Sequence, residues 1–460
     1  MSPRTRLAAA VLALCSTAVS ATDLLQVWEA VQKHDLQGMV SQASRAAGSA
    51  RLEQANALWR PTVGLSTSAG WASAQTQMNG AQFAMPGAGA FSGPFSGASF
   101  ATSVNGGSAT RYALSARQAL YSRERQAQSA QLDLAAQASE HEWQLAQQDW
   151  MLQTTQRYFD VVQAQQRLRL IEQQQVAVDK ALTEAKDRFA MGDAPVTDTH
   201  EAAARAQALR AQVITARNDL EMARQVLSDV SGLPATTLVL HTPSESAGLN
   251  TPEALPVWLQ KAEQGNPMIR LQAAQADVAQ QEVRKHSALA APTLDLVAQA
   301  SRERISGTGD FGAASNTQSQ QMVGVMLNVP LYTGGWRSAK LQEATHLQSK
   351  AQAELERTRL QISQMTRAAW LAVQSGQSRL AALQAANTAS QARLDATQLG
   401  RQVGDRTTLD VLNAHNDASA AQLGLLQARM ELLVAQLRLH AMAGQLDASK
   451  LQAVNAALQP

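Results

Sequence analysis

The feature that most constrains this chain is an internal repeat, since short motifs of its first half return in its second half at a nearly constant distance. Met191-Gly192-Asp193 returns as Val403-Gly404-Asp405, 212 positions later, and Ser231-Gly232 returns as Ala443-Gly444 at the same distance. Near the start of each half the distance between matching motifs is 230 positions, 18 more than further along. The first copy must therefore contain a longer connection between these points. We therefore predict a leader at 1–21, a first repeat at 22–241, a linker at 242–256, a second repeat at 257–447 and a C-terminal tail at 448–460.

The first 21 residues have the pattern of a secretory signal peptide. Arg4 and Arg6 form a basic start, Leu7 to Leu14 an apolar stretch, and Val19-Ser20-Ala21 a small-residue cleavage site. The single cysteine, Cys15, lies inside this stretch. Lipid attachment at Cys15 is the alternative, but the bulky residue before it disfavours that reading. A mature chain without cysteine excludes a cysteine nucleophile and a zinc–thiolate site.

The charge balance argues against a nucleic-acid partner. Two of the 39 basic residues lie in the leader, so 37 remain against 37 acidic residues. A neutral mature chain lacks the excess of Lys and Arg that binding to phosphate backbones requires. Aromatic residues make up only 4% of the chain, and Ala and Gln dominate long stretches, which suits long, thin helices.

Within each half the hydrophobic pattern alternates with period 2 in two segments. We predict strands at 61–72, 112–121, 293–300 and 323–332. About ten alternating residues is the length of a tilted transmembrane strand. No run of about 18 uncharged apolar residues follows the leader, so a membrane crossing would require a closed strand barrel. The stretches between the strands, Ser73–Thr110 and Ser306–Ser319, are predicted to be surface loops.

The remaining segments follow helical periods. Residues 24–58 have a helical pattern, and 122–188 contain neither Pro nor Gly but carry apolar residues at heptad spacing. Gly192 and Pro195 break this helix, Gly404 breaks its counterpart, and a return helix follows each break. A chain this thin cannot bury its heptad seams and strands alone, so we predict an oligomer.

Several motifs make the chain resemble the TolC-type outer membrane channel family over essentially its whole mature length. They lie at the strand starts, at the strand-to-helix segment and at the two helix breaks: 59–65, 291–296, 329–335, 189–198 and 403–414. The resemblance implies a mainly helical chain with four transmembrane strands and a homotrimer that closes a 12-stranded barrel in the outer membrane of a Gram-negative bacterium. It further implies a periplasmic helical tunnel, a periplasmic adaptor protein and an inner-membrane ABC or proton-driven pump.

The resemblance also assigns roles to the two helix breaks, which we call the first tip (189–198) and the second tip (401–413). It implies that the adaptor docks on Met191, Gly192, Asp193, Val403, Gly404 and Asp405. The alternative is that the glycines serve only the chain reversal.

A gate is implied at the same end. Asp410 would form a carboxylate ring under threefold symmetry, or else would only favour a helix N-terminus. Asn413 stands where the family has a second acidic ring, so we expect weak cation selectivity. Arg406, Thr197 and Asp198 match residues that hold the family's entrance shut. Arg401 replaces a tyrosine, and we expect it to pair with Asp198.

No catalytic or cofactor motif accompanies these features. The eight histidines are scattered singly, and His200 and His415 near the tips are expected to be solvated helix residues rather than metal ligands. We therefore predict a passive duct for type I protein secretion or small-molecule efflux, without cofactor or metal. A periplasmic coiled-coil adaptor is the alternative, and an exported hydrolase is disfavoured because it would need a catalytic constellation.

Overall fold

A computed structural model describes residues 22–79, 99–193, 195–238, 240–244, 252–310 and 312–459. The predicted leader with Cys15, residues 80–98 of the first predicted loop and residues 245–251 of the predicted linker lie outside the described residues.

The described residues form two long helical hairpins and an antiparallel sheet. The helices are α1 (Leu24–His34), α2 (Leu36–Ala57), α3 (Arg123–Ala190), α4 (Val196–Ser231), α5 (Leu255–Gly265), α6 (Pro267–Ala288), α7 (Trp336–Gln402), α8 (Thr408–Met442) and α9 (Ala448–Ala456). The strands are β1 (Thr62–Asn79), β2 (Ser99–Tyr121), β3 (Thr242–Pro243), β4 (Thr293–Gly309), β5 (Gly312–Asn328) and β6 (Leu458–Gln459). Each half thus runs through two short helices, two strands, a long helix and a shorter return helix.

The long helices are confirmed. α3 contains 68 residues, about 100 Å at 1.5 Å per residue. The helical segment predicted at 24–58 is divided at Asp35, whose extended backbone ends α1 before α2 begins. No described helix combines the length and apolarity needed to cross a bilayer.

The four predicted strands are confirmed, and each extends further toward its hairpin end than predicted. The last four residues of the strand predicted at 323–332 are wrong, because β5 ends at Asn328, before Pro330, which has no N–H to donate to a ladder. β1, β2, β4 and β5 form one antiparallel sheet in the order β1-β2-β4-β5. The predicted loop Ser306–Ser319 is wrong, because β4 and β5 pair down to Gly309 opposite Gly312. The ends of the predicted loop Ser73–Thr110 are also strand, with Gln77 opposite Ala101. Polar and small residues there lack the alternating pattern, yet their backbones complete the hydrogen-bonded ladders.

The chain divides into two compact units that cut across the sequence repeats. In the part of the chain that the structure describes, the residues of unit 1 fall in the ranges 1–47, 138–273 and 353–460, and those of unit 2 in 48–137 and 274–352. Unit 1 has a core built on fully buried residues of α1, α3, α4, α8 and α9, including Leu24, Tyr158, Phe159, Leu227 and Leu437. Unit 2 contains the four-stranded sheet and the helix segments joined to it.

The residues predicted to be a C-terminal tail belong to the core of unit 1. Leu451 and Val454 of α9 are buried in it, and β6 pairs with β3. The Asn455 amide also receives a hydrogen bond from the Leu24 backbone N–H at 2.9 Å. Heptad counting misses this short segment because its partners lie hundreds of residues earlier in the chain.

Candidate functional site at the helix tips

The two tips reverse the chain in the same way. Beyond α3 the Asp193 N–H donates to the Arg188 carbonyl at 2.8 Å, and the Gly192 N–H donates to the Phe189 carbonyl at 3.0 Å. Gly192 has φ +82°, the left-handed conformation that ends a helix in a Schellman motif. A side chain with a Cβ is strained at this φ, which explains the glycine.

The second tip repeats this geometry at an offset of 212 positions. The Asp405 N–H donates to the Gly400 carbonyl at 2.8 Å, the Gly404 N–H donates to the Arg401 carbonyl at 3.1 Å, and Gly404 has φ +85°. No atom lies within 4 Å of the position that a Cβ would take on Gly192 or Gly404. Both glycines are therefore required by backbone conformation and not by crowding.

An apolar side chain is exposed immediately before each glycine. Met191 has 68% of its surface exposed and Val403 has 75%. Asp193 and Asp405 follow the glycines and are also exposed. Each tip thus presents an apolar side chain, a bare backbone turn and a carboxylate in sequence.

The return helices begin differently. α4 begins after Pro195, which supplies no capping side chain, and Thr197 and Asp198 are exposed in its first turn. α8 begins with a capping box, in which the Asp410 N–H donates to the Thr407 hydroxyl at 3.1 Å and the Thr407 N–H donates to Asp410 Oδ2 at 2.9 Å. The second return helix is therefore anchored where the first is not.

The electrostatics of Asp410 follow from this cap. Hydrogen bonds from the backbone and hydroxyl of Thr407, assisted by the positive charge of Arg406, hold the pKa of Asp410 below its usual value. Asp410 therefore stays ionised to a lower pH than a free aspartate does. Asn413, one turn further along α8, is exposed.

The predicted ion pair between Arg401 and Asp198 does not form within this chain. The guanidinium of Arg401 instead contacts the carboxylate of Glu184 on α3. Arg401 ends α7, and the packing of α8 against α3 brings its side chain to Glu184 rather than to the first turn of α4. Sequence reasoning missed Glu184 because nothing in the pattern links two residues 217 positions apart.

Arg406 is exposed and folds back over the end of α7. Its Cγ lies 2.8 Å from the position of a Cβ built on Gly400, so the small residue at 400 makes room for it. Within the single chain neither Arg406 nor Arg401 forms an ion pair with Asp198, although the structure describes all three residues.

A groove of about 470 Å³ separates the first tip from the start of α8. Charged residues of both signs line it on the side of the first hairpin: Glu184, Arg188, Asp198, Glu201 and Arg205. Thr407, Thr408 and Leu409 line the other side. Deeper in the chain, Val178, Ala206 and Leu412 hold α3, α4 and α8 together beneath this groove. The fold thus brings Asp198 to the same groove as the cap residue Thr407, but not to the predicted arginines.

The histidines near the tips form no metal cluster. Among the described residues no group of three or more His, Cys, Asp or Glu side chains is arranged to hold a metal ion. His200 is exposed, and His415 lines a small recess with Val178 and Leu209.

Comparison with known proteins identifies the family. The protein-family model described as "Outer membrane efflux protein" matches residues 30–233 and 258–445. The chain is 27% identical to the outer membrane protein TolC of Vibrio cholerae over 70% of its length and 74% of that protein. It is 28% identical to the proteases secretion protein PrtF of Dickeya chrysanthemi over 65% of each chain.

A solved structure supports the fold. The outer membrane protein VceC of Vibrio cholerae superposes with a TM-score of 0.68, covering 92% of this chain and 96% of that one at 17% identity. The matches confirm the prediction of an outer membrane efflux or secretion channel with a helical periplasmic tunnel, and they do not favour the adaptor alternative. The family is one of transport channels. The chain belongs to the outer membrane efflux protein family.

Proposed function

We propose that three copies of this chain close a 12-stranded barrel in the outer membrane and extend it as a helical tunnel into the periplasm. The observation that carries this proposal is the sheet. Its two outer strands, β1 and β5, have no further strand beside them among the described residues, and they are 18 and 17 residues long. Long unpaired edges invite pairing with another chain, and closure removes them altogether. Three four-stranded sheets joined edge to edge supply 12 strands.

The exposed surface of the sheet favours lipid as its surroundings. Apolar side chains that alternate along the strands are largely exposed, among them Val63, Leu65, Val323, Val325 and Leu327. Such a face is unfavourable in water but suits the hydrocarbon core of a bilayer.

The duct itself performs no chemistry in this proposal, and an inner-membrane ABC or proton-driven pump supplies the energy. The tips are the docking points for the periplasmic adaptor. Their exposed Met191 and Val403 offer apolar contacts beside the bare turns at Gly192 and Gly404. Asp193 and Asp405 would select among adaptors by charge.

The periplasmic entrance is proposed to be gated and mildly cation-selective. Threefold symmetry turns Asp410 into a ring of ionised carboxylates, while Asn413 supplies no second ring. Arg406 would reach Thr197 and Asp198 of a neighbouring copy in the closed state, because it finds neither within its own chain. The proposed channel would conduct either secreted proteins or small molecules.

The two halves are proposed to be copies of one ancestral unit. The same order of elements and the same turn at both tips support this origin. In the assembled channel each protomer would then contribute two similar parts to the channel wall, each made of one strand pair and one helical hairpin.

The first test is the mass of the purified protein in mild detergent, together with its conductance in a planar bilayer. We expect a trimer with small, steady, weakly cation-selective conductance. A monomer or dimer without conductance would overturn the barrel and favour the alternative of a periplasmic coiled-coil adaptor.

A further inference from the structure

The sheet of unit 2 has two unlike faces. We define the outer face as the one that carries Val63, Leu65, Leu114, Leu296, Val323, Val325 and Leu327, all of which are exposed. The register places these residues side by side, with Leu65 opposite Leu114 and Leu296 opposite Val325. The other face holds the buried side chains of Ala113, Asp295 and Ile305.

Two arginines interrupt the outer face just beyond its apolar rows. Arg302 and Arg304 on β4 follow Ala298 and Ala300 on the same side of the strand, and both are exposed. No carboxylate among the described residues forms an ion pair with either guanidinium. These two charges thus project from the face that is otherwise apolar.

Hydroxyl groups surround the two arginines. Arg302 lies opposite Tyr112 on β2 and Ser319 on β5. Arg304 lies opposite Thr110 and Thr317 in the same manner. We call these six residues the arginine–hydroxyl patch. Guanidinium and hydroxyl groups are all hydrogen-bond donors, and guanidinium matches phosphate oxygens in pairs.

The arginines of the opposite face are arranged differently. Arg117 pairs with the buried carboxylate of Asp295 at 2.6 Å, and Arg111 lies directly opposite Glu303. The sheet therefore places a carboxylate beside each of these two arginines on the buried face, while it leaves both outer-face arginines without one.

The patch lies at a definite height. From Leu294 beside the helices to Arg302 there are eight residues of β4, about 26 Å along the strand at 3.3 Å per residue. At a tilt of about 40° this becomes about 20 Å of height, close to the apolar band of an outer membrane barrel. No charged residue lies on the outer face along that distance. The exposed Trp71 lies one row beyond Arg304, where interfacial aromatic residues are expected.

The connectivity sets the direction. The helices of unit 2 join the strands at the Thr62, Tyr121, Thr293 and Asn328 ends, and the β4–β5 hairpin closes at the opposite end. Because the helices lie in the periplasm, the hairpin end faces the cell exterior, so the patch lies at the level of the outer-leaflet headgroups.

We propose that the arginine–hydroxyl patch binds a phosphate group of a phosphorylated glycolipid in the outer leaflet. This inference rests on the proposed barrel. Positively charged hydrogen-bond donors at the headgroup level attract phosphate groups, and the apolar rows below them accommodate the acyl chains. β2 and β4 are the central strands of the sheet, so edge-to-edge pairing of three copies leaves the patch uncovered.

The test compares lipid binding by the purified, delipidated trimer. The probes are bisphosphorylated lipid A and the same lipid with both phosphates removed, each titrated in mild detergent. We expect the Arg302→Gln/Arg304→Gln variant to bind the phosphorylated lipid about 25-fold more weakly, since each arginine contributes roughly a factor of five. Binding of the dephosphorylated lipid should not change.

Arg111→Gln is the matched control, because it removes an arginine from the opposite face of the adjacent strand. It should bind lipid A as the unmodified trimer does. Equal loss in Arg111→Gln and the double variant, or unchanged binding by the double variant, would overturn the patch. Inorganic phosphate at millimolar concentration should not displace the lipid, and full displacement would make the site one for free phosphate.

Folding and the barrel are checked separately. The double variant should remain trimeric and conduct as before, so a loss of lipid binding alone concerns only the patch. If it does not assemble, Arg302→Lys/Arg304→Lys keeps both charges but loses the paired guanidinium donors. It should bind lipid A more weakly than the unmodified trimer but more tightly than the dephosphorylated lipid, and equal binding of the two lipids would overturn the proposal. If the unmodified chain forms neither trimer nor conductance, the barrel itself is refuted.

Discussion

The two helix tips share a backbone but not their side chains. Gly192 and Gly404 have φ values of +82° and +85° and close the same pair of hydrogen bonds. Around the turn, the second tip has a contact from Arg401 to α3 and a capping box at Thr407. The first tip begins its return helix after Pro195 without a side-chain cap. A duplicated turn therefore retains what the backbone requires, while side chains at equivalent positions acquire separate roles.

The largest expected effect comes from removing the shared feature. Gly404→Val and Gly192→Val should each abolish export while trimers persist, because a β-branched residue at this φ is strained by about 1–2 kcal/mol or more and the tip is distorted. Export and oligomeric mass are the measurements. Gly424→Ala within α8 is the control, since open space surrounds its Cβ position. Normal export by Gly404→Val would refute docking through the turn.

A second effect should separate the tips. Arg406→Ser should raise the resting conductance severalfold, because Arg406 is free to contact a neighbouring copy in the closed state. Arg210→Ser removes an exposed arginine that pairs with Asp179 away from the tips, and it should leave the conductance unchanged. If both variants conduct like the unmodified channel, Arg406 has no role in the gate.

A third comparison separates two roles of Asp410, its negative charge at the entrance and its hydrogen bonds in the cap of α8. Asp410→Asn retains an acceptor for the Thr407 N–H but removes the charge, so it should reduce cation preference and leave α8 anchored. Asp410→Ala should lose both, while Asp198→Ala should affect no cap. Reversal potentials in a salt gradient report the charge, and hydrogen exchange at the start of α8 reports the cap. An unchanged reversal potential in Asp410→Asn would remove the carboxylate ring.

The pH dependence of the cap has a definite sign. The pKa of Asp410 is lower in the folded chain than its ordinary value of 3.8. The contribution of its ionised form to stability is therefore fully present above that ordinary value, and it is lost as the pH falls through the folded pKa. We expect protection of the α8 start to persist to about pH 4 and to decline only at lower pH. A decline near neutral pH would contradict this assignment.

The smallest expected effect concerns the contact that only the second tip makes. Arg401 and Glu184 are partly exposed, so their pairing should contribute about 0.2–1 kcal/mol. Arg401→Gln should raise the resting conductance slightly, and the exchange Arg401→Glu/Glu184→Arg should restore it. A double-mutant cycle in denaturant measures the coupling. Zero coupling would show that the ends of α7 and α3 are held by packing alone.

Much of this architecture could be predicted from local pattern. The period-2 segments located every strand of the large sheet, and apolar residues at heptad spacing located the long helices, of which α3 also lacks Pro and Gly. Gly192 and Gly404 marked the reversals because few other residues adopt their φ. The strands were predicted too short at their hairpin ends, since small or polar residues there, such as Gly312 opposite Gly309 and Gln77 opposite Ala101, pair through backbone groups that leave no hydrophobic signature.

Pairings between distant residues could not be predicted in the same way. Glu184 and Arg401 are 217 positions apart, and α9 packs against α1 across almost the whole chain. The capping box was within reach of sequence reasoning, because Thr407 and Asp410 stand at the required spacing.

The sequence by itself determined the repeat, the types and order of the large elements, the turning points and the family resemblance, because periodicity and glycine placement act through neighbours along the chain. Only the tertiary structure decided which charges meet. The register of β4 leaves Arg302 and Arg304 without a neighbouring carboxylate and places Asp295 beside Arg117. The packing of the helices brings Arg401 into contact with Glu184 and not with Asp198. Those outcomes depend on the relative placement of elements, which no local pattern specifies.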